Sequence, residues 1–266
     1  MKASYPRKLF FLVVVAALVL TGWATSAPQP RDPDGLHCAV LPASEQGAQR
    51  AAPPDDPWQK AVDESVIDVP DQPGLPRVLL IGDSISMYYT VPTRDLLRGK
   101  ANLHRVPTNG GNTEKGLAHL SEWLGSGKWD VIHFNWGLHD LVVKDQSNAV
   151  PVDRYERNLR ELVRRLNATG ATLIWATTTP VPPRIKIGPE RRNADALAYN
   201  AAALRIMKEN RIQIDDLYEF ALPRLREIQL EDDVHFSFEG SRVLAQRVAD
   251  VILDALRARP RTLSNP

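Results

Sequence analysis

The chain has 266 residues, of which 43% are hydrophobic, so it is long enough to bury one sizeable core. Its 33 lysine and arginine residues nearly balance 32 aspartate and glutamate residues, leaving a net charge of +1. So small a net charge creates no long-range field that would favour a nucleic acid or an anionic membrane as partner. Composition therefore predicts a single domain and says little about its substrate.

The N-terminal residues have the pattern of a secretory signal peptide. Positive charges precede an unbroken apolar run over residues 9–20, and small residues follow as far as Ala27. We therefore expect residues 1–27 to direct export to the periplasm or the cell exterior. No stable membrane association is expected once this segment is cleaved. An uncleaved N-terminal membrane anchor is the alternative.

The next segment predicts little packed structure. Residues 28–71 are rich in Pro, Ala, Gln, Asp and Gly and show no apolar periodicity, which is typical of a flexible arm or linker. The single cysteine, Cys38, lies here and has no intramolecular disulfide partner. We predict the folded domain over residues 72–266.

Within that domain, short apolar runs alternate with segments of helical spacing. The predicted strands cover residues 78–81, 102–106, 129–135, 172–176 and 212–214. The first is a continuous apolar run, which favours burial on both faces, and apolar stripes over 155–166 and 243–256 predict helices. The alternation predicts a three-layer α/β/α sandwich around a parallel sheet, with reactive groups at the carboxyl ends of the strands.

A serine directly follows the first predicted strand. A tight strand-to-helix turn would hold Ser84 at the carboxyl edge of the sheet and at a helix N-terminus, where backbone N–H groups and the helix dipole favour a developing oxyanion. Ser84 is therefore a candidate nucleophile. Taken alone, the same position also fits a helix N-cap serine.

A hydroxyl nucleophile needs a base, and His235 supplies a candidate just before the last predicted helix. A carboxylate three residues earlier, Asp232, could accept the Nδ1 proton and leave Nε2 free to take the serine proton. We predict Asp232 as the orienting carboxylate, with Asp233 as the alternative. A histidine with a capping or packing role would explain His235 if this motif stood alone.

The two motifs together carry a family resemblance. Residues 82–85, Gly-Asp-Ser-Ile, resemble the first conserved block of the SGNH (GDSL-like) hydrolases, and residues 232–235 resemble their C-terminal Asp-x-x-His block. The resemblance extends over about residues 77–256. It implies a flavodoxin-like fold and hydrolysis of esters by a serine nucleophile through an acyl-enzyme, with no cofactor and no metal.

The two middle blocks of the family supply candidates for the oxyanion hole beside the Ser84 backbone N–H. Residues 109–113 resemble the glycine block, which implies that Gly111 donates its backbone N–H, with Gly110 as the fallback; a plain turn is the alternative. The last block departs from the family, because His139 stands where an asparagine is usual. An imidazole N–H can donate as an amide does, so we predict His139 as the third donor and Asn135 as its alternative.

The natural substrate is less defined by these motifs. We predict O-acyl ester hydrolysis, with O-acetyl groups on carbohydrate as the substrate, and Trp123, Trp129 and Trp136 would offer stacking surfaces if exposed. Further substrate contacts are expected from Asp83, Asn112, Thr179 and Arg192. The alternatives are a lipid-directed esterase, a thioesterase or an acyltransferase on the same triad, or a noncatalytic glycan-binding protein.

Overall fold

A computed structural model describes residues 57–186 and 188–259. The predicted signal peptide, residues 1–27, and Cys38 lie outside the described residues. Within the part that is described, no helix is both long and apolar enough to cross a membrane.

Five parallel strands form the central sheet. The strands of the protein are β1 (Arg77–Ile81), β2 (Asn102–Arg105), β3 (Val131–Phe134), β4 (Val143–Lys144), β5 (Ser147–Asn148), β6 (Thr172–Ala176) and β7 (Gln213–Asp215). The sheet order is β2-β1-β3-β6-β7, and β4 pairs with β5 in a separate antiparallel hairpin that the sequence did not predict. All five predicted strands are present within two residues of their predicted bounds, which confirms the α/β fold.

Helices cover both faces of this sheet. They are α1 (Pro57–Ser65), α2 (Ser84–Leu96), α3 (Thr113–Leu124), α4 (Val152–Asn167), α5 (Asn193–Glu209), α6 (Leu217–Ala221), α7 (Leu225–Ile228) and α8 (Phe238–Ala258), with a 3₁₀ turn over Leu222–Arg224. Helices α1 and α8 pack on α2, whereas α3, α4 and α5 pack in series. Because β1, β2, β3 and β6 are almost fully buried, the two groups of helices form the outer layers of an α/β/α sandwich.

The strand order determines where a crevice opens. Strands β2 and β3 lie on opposite sides of β1, so the connections that leave β1 and enter β3 run in opposite directions across the sheet. In such sheets a crevice forms outside the carboxyl ends of the strands at the point of reversal. The residues that follow β1 and β3 therefore meet there.

The last helix is attached to the sheet by an ion pair between partly exposed Arg247 and a buried aspartate. Arg247 of α8 donates from Nε to Asp215 at the end of β7 at 2.9 Å, and the same carboxylate lies 3.1 Å from Nε2 of His133 on β3. Asp215 is fully buried, so its charge requires these partners. The pairing fixes α8, and with it the loop that precedes α8, relative to the strand ends.

The folded unit begins earlier than predicted, because residues 57–71 pack on the domain instead of forming a flexible arm. Arg94 of α2 donates from its guanidinium to the backbone carbonyls of Glu64, Ser65 and Ile67 at 2.9–3.1 Å. The sequence did not place these residues in the domain, because they have no clear apolar periodicity. A side chain from elsewhere in the chain holds them instead.

Substitution of Arg94 tests this attachment. We expect Arg94→Ala to lower the free energy of unfolding by about 1–3 kcal/mol, since three backbone carbonyls lose a charged donor. Urea denaturation of the full chain measures the change. Arg98→Ala is the matched control, because Arg98 is exposed and pairs only with exposed Asp95, and it should change stability by less than about 0.5 kcal/mol. Equal losses in the two variants would contradict the attachment.

Candidate active site

The turn after β1 presents Ser84 at the carboxyl edge of the sheet. Asp83 is the N-cap of α2, and its carboxylate accepts the backbone N–H of Ile85 at 3.0 Å. Ser84 is thus the first residue of the helix, where the backbone N–H has no acceptor within the helix. Both the hydroxyl and this N–H are available to a group bound at the strand ends.

His235 reaches this serine from the far end of the chain. Its Nε2 lies 2.8 Å from Oγ of Ser84. The histidine is held near the start of α8, whose N-cap is Ser237 as predicted, since the Ser237 hydroxyl accepts the backbone N–H of Gly240 at 3.0 Å. The predicted nucleophile and base are therefore within hydrogen-bond distance.

The carboxylate that orients the imidazole is Asp233, so the prediction of Asp232 is wrong. Oδ1 of Asp233 lies 2.8 Å from Nδ1 of His235 and also accepts the backbone N–H of His235 at 3.1 Å. This is an Asx turn, in which an aspartate side chain folds over the backbone two residues ahead. Because a carboxylate can only accept, the contact selects the tautomer with the proton on Nδ1 and leaves Nε2 free to accept from Ser84.

Asp232 faces away from the imidazole. Its backbone is left-handed, with φ of 56°, and its carboxylate lies 2.7 Å from both Arg184 and Lys186. Hydrogen bonds from these two cations lower the pKa of Asp232. Asp232 therefore stabilises the loop and does not contact the histidine ring.

The glycine block packs directly against the nucleophile turn, but its N–H groups have other partners. Gly110 donates its N–H to the Gly82 carbonyl at 2.8 Å, and a Cβ at Gly110 would come within 2.7 Å of that oxygen. Gly111, at φ of 62°, donates its N–H to Oδ1 of Asn109 at 2.9 Å. The prediction that Gly111, or failing it Gly110, supplies a free oxyanion donor is therefore wrong for this structure.

The block after β3 supplies the remaining candidate. Among the described residues, no hydrogen-bond partner occupies the ring of His139, whereas its neighbour Asp140 accepts from the backbone N–H of Thr113 at 2.9 Å and fixes the loop. The amide of the alternative donor, Asn135, already donates to the Ala176 carbonyl at 2.8 Å and, more weakly, to Oγ1 of Thr178 at 3.4 Å. His139 is thus the free donor that β3 brings to the crevice.

Arg105, at the end of β2, is a site residue that sequence reasoning missed. Its Nη2 donates to the carbonyls of Gly82 and Asp83 and to Oγ of Ser86 at 2.6–2.9 Å, while Nη1 donates to the Thr108 carbonyl at 2.7 Å. Burial lowers the pKa of Arg105 to about 10, so the guanidinium stays charged at neutral pH. A charged residue inside a predicted buried strand was the signal that could have revealed it.

A cleft with a volume of about 580 Å³ opens beside His139. We call it the cationic cleft, and its polar lining consists of Asn109, Asn112, Lys115, His139, Lys144 and Arg191. Asn112 was predicted to contact substrate and does line it. Arg192 was also predicted, but it is exposed, pairs with Glu190 at 2.8 Å and lies outside the lining; its neighbour Arg191 takes that place.

Two further predicted contacts are also outside this cleft. Asp83 and Thr179 are both buried and line a small pocket of about 20 Å³. That volume holds about one water molecule and admits no substrate. Asp83 therefore acts as a helix cap, and Thr179 as part of the wall behind the nucleophile turn.

Aromatic side chains reach His235 from α1 and α2. The ring of Trp58 stacks on Phe238 with centroids 4.0 Å apart and meets Tyr88 edge-on at 4.8 Å, and Tyr88 in turn meets His235 edge-on at 5.4 Å. Phe238 is 40% exposed. We call these three residues the aromatic cluster; it forms a partly exposed apolar surface next to the base.

The three tryptophans considered from the sequence are not at the site. Trp123 and Trp136 are buried, and Trp129 precedes β3 and packs under the Arg77 guanidinium, 4.1 Å from the ring centroid. Trp129 therefore lies at the amino end of the strands, opposite the crevice. Within the described ranges, no group of three His, Cys, Asp or Glu side chains could hold a metal ion.

Known proteins share this fold and its motifs. Residues 80–243 match the GDSL-like lipase/acylhydrolase family model. The structure is similar to an acetyl xylan esterase, AlAXEase (TM-score 0.56, 18% identity, covering 66% of this chain and 99% of that one), and to a lipase/acylhydrolase from Enterococcus faecalis (TM-score 0.57, 19% identity, 71% and 100%). It is also similar to a catalytic mutant of the acetylxylan esterase Axe2 from Geobacillus stearothermophilus (TM-score 0.56, 18% identity, 66% and 94%). No curated protein matches the sequence significantly.

These structural likenesses, at below one fifth identity, show a common fold. The family match covers well over half of the chain and includes both the turn that carries Ser84 and the loop that carries His235. The chain therefore belongs to the GDSL-like lipase/acylhydrolase family of SGNH hydrolases and is a carboxylic ester hydrolase.

Proposed function

We propose that this protein is an exported serine esterase that removes O-acetyl groups from carbohydrate through Ser84, His235 and Asp233. The observation that carries the proposal is the unbroken hydrogen-bonded series of these side chains, with 2.8 Å from Ser84 to His235 and 2.8 Å from His235 to Asp233. Such a series activates a hydroxyl for attack on a carbonyl at neutral pH.

In the first half of the proposed reaction, Oγ of Ser84 attacks the ester carbonyl while Nε2 of His235 takes the hydroxyl proton. The tetrahedral intermediate collapses when His235 returns this proton to the departing sugar oxygen, which leaves an acetyl group on Ser84. In the second half, water gives a proton to His235 and attacks the acetyl carbonyl. Acetate then leaves and Ser84 is protonated again. Asp233 stabilises the imidazolium in both halves.

The oxyanion of each tetrahedral intermediate would be held by the backbone N–H of Ser84 and the ring of His139. The first lies at the positive end of α2, which favours negative charge. Burial, the main cause, lowers the pKa of His139, so the ring stays neutral and keeps one N–H to donate. Two donors aimed at the developing charge would lower the barrier to attack.

The surroundings of the site are compatible with a sugar. The cationic cleft combines six polar or charged side chains with Gly111, Val142, Ala149 and Pro189, so it offers hydrogen bonds to hydroxyl groups and apolar contacts to a ring face. The aromatic cluster next to His235 suits the apolar face of a sugar ring. Two of the structural neighbours are acetylxylan esterases, which agrees with this substrate class.

Export is supported by the N-terminal pattern of positive charges, apolar run and small residues over 1–27. Acetylated polysaccharides outside the cytoplasm would then be within reach of the enzyme.

Hydrolysis of p-nitrophenyl acetate beside p-nitrophenyl octanoate, by the full chain, tests the proposed activity. We expect faster hydrolysis of the acetate and a loss of about 10⁶-fold in Ser84→Ala, because the nucleophile is removed. Ser86→Ala is the control for loss of a hydroxyl in the same turn. Ser86 only supports the turn, through Arg105 and the Asp83 carbonyl, so we expect its removal to lower activity far less than about 10⁶-fold. Preference for the octanoate would favour a lipid-directed esterase, and equal activity of Ser84→Ala and the parent chain would refute the serine mechanism.

Paired substitutions of the adjacent aspartates test which carboxylate acts. We expect Asp233→Asn to lower kcat by about 10³- to 10⁴-fold, because the imidazole loses the acceptor that selects its tautomer. Asp232→Asn should leave kcat nearly unchanged, because Asp232 contacts Arg184 and Lys186 instead of His235. Steady-state kinetics on p-nitrophenyl acetate measure both, and the reverse order of effects would restore Asp232 to the triad.

His139 is tested as the oxyanion donor by two substitutions. We expect His139→Ala to lower kcat by about 10²- to 10³-fold with little change in KM, because the interaction forms only as charge develops. His139→Asn places the family's usual amide donor at the same position and should recover most of the loss. If both variants keep full activity, Ser84 and some other donor hold the oxyanion.

A further inference from the structure

Arg191 is a buried cation without a carboxylate partner. It is only 9% exposed, and it donates from Nε to the Leu138 carbonyl at 2.8 Å and from Nη1 to the Pro189 carbonyl at 3.2 Å. No carboxylate of the described chain lies within 4 Å of its guanidinium, in contrast to exposed Arg192, which is paired. Burying an arginine without a counter-charge is costly in free energy. A bound anion would therefore stabilise Arg191 in this position.

The two carboxylates whose charge acts on Arg191 have partners elsewhere. Asp83 and Asp233 act on Arg191 only through space. The first caps α2 through Ile85, and the second holds the ring of His235. Neither can turn to Arg191 without giving up its role at the site.

Other cations face the same space. Lys115 and Lys144 join Arg191 in the lining of the cationic cleft, which contains no aspartate or glutamate. Nζ of Lys115 is held by the Asn109 carbonyl at 2.7 Å, and the described residues offer neither lysine a carboxylate within 4 Å. Three cations without an acid, around a cleft of about 580 Å³, create a positive potential where a substrate would enter.

The cleft is next to the reaction centre. His139 lines it together with residues of the glycine block. That block packs on the turn that carries Ser84 through the bond from Gly110 to Gly82. A group bound at Arg191 would therefore belong to the same substrate molecule as the ester at Ser84. The guanidinium fork suits a flat or tetrahedral oxyanion, such as a carboxylate or a sulfate, through paired N–H donors.

Resting on the esterase function proposed above, we infer that the cationic cleft binds an anionic group of the acylated carbohydrate, a carboxylate or a sulfate ester, with Arg191 as its main contact. The substrate class would then be an acetylated acidic saccharide and not a neutral one. The cations of the cleft would increase the affinity for acidic substrates and select them over neutral ones. The triad and His139 would catalyse ester hydrolysis.

The test compares acidic and neutral substrates of similar size with the full chain. The probes are acetylated trigalacturonate, which carries carboxylates, acetylated xylotriose bearing sulfate esters, and unsulfated acetylated xylotriose. We expect kcat/KM to be higher for one or both acidic substrates and to fall with added NaCl for these alone, because salt screens the attraction. The better of the two acidic probes identifies the anion.

Variants locate the effect in the cleft. We expect Arg191→Gln to lower the ratio of kcat/KM on acidic to neutral substrate by about 10- to 100-fold, the contribution of a charged hydrogen-bonded contact. Lys144→Gln should lower the same ratio to a smaller extent, because the Lys144 side chain is exposed and makes no hydrogen bond or ion pair among the described residues. Arg192→Gln is the matched control, because Arg192 is adjacent in sequence but outside the cleft, and the ratio should not change.

Several results would overturn the inference. One is an equal loss on acidic and neutral substrates in Arg191→Gln with no effect of Lys144→Gln, which would make Arg191 a structural or oxyanion residue. Another is equal turnover of acidic and neutral substrates by the parent chain. Calorimetric binding of trigalacturonate or sulfated xylotriose to Ser84→Ala separates this inference from the proposed esterase activity. Binding that is lost on adding Arg191→Gln supports anion binding in the cationic cleft even if no ester is cleaved. Absence of binding refutes anion binding there even if p-nitrophenyl acetate is hydrolysed.

Discussion

The guanidinium of Arg105 is the contact on which the geometry of the site depends. It donates to the carbonyls of the turn that carries Ser84 and to the Thr108 carbonyl in the loop before the glycine block. Among the described residues the Thr108 carbonyl accepts from Arg105 alone, and loss of this donor would leave it without a protein partner. The Gly82 carbonyl also accepts from the Gly110 N–H, and the Asp83 carbonyl from the Ser86 hydroxyl. Arg105 joins these groups into one network and fixes the distance between the nucleophile turn and the glycine loop.

Short side-chain to backbone hydrogen bonds then direct the individual groups. Asp83, Asn109 and Asp233 each accept an N–H two residues ahead. The first bond starts α2 at Ser84, the second occupies the N–H of Gly111, and the third places a carboxylate at Nδ1 of His235. The same type of local hydrogen bond thus shapes the nucleophile turn, occupies the N–H of one candidate oxyanion donor and orients the base.

These local bonds also mark the limit of what the sequence could predict. Strand positions and the stripes of α4 and α8 follow from apolar periodicity, and the pairing of Ser84 with His235 follows from two motifs at strand ends. The choice of Asp232 over Asp233 rested on spacing, but an Asx turn brings the nearer carboxylate to the imidazole. Gly111 was assigned as an oxyanion donor from the glycine block, although the Asn109 side chain can accept its N–H. Helix α1 was not predicted. Arg94, from a distant part of the chain, holds the carbonyls of Glu64 and Ser65 in its last turn and of Ile67 just after it, and apolar periodicity does not reveal such contacts.

Electrostatics connect binding with chemistry at this edge of the sheet. Burial and the nearby cations Arg191 and Lys115 all lower the pKa of His139, so the ring remains a neutral donor. The same positive charges favour the negative tetrahedral intermediate and would attract an anionic substrate. In the proposed reaction His235 needs the opposite environment, because it becomes an imidazolium, and the carboxylate of Asp233 is in direct contact with its Nδ1. One carboxylate beside His235 and several cations around His139 would thus suit the first histidine to act as base and the second to remain a neutral donor.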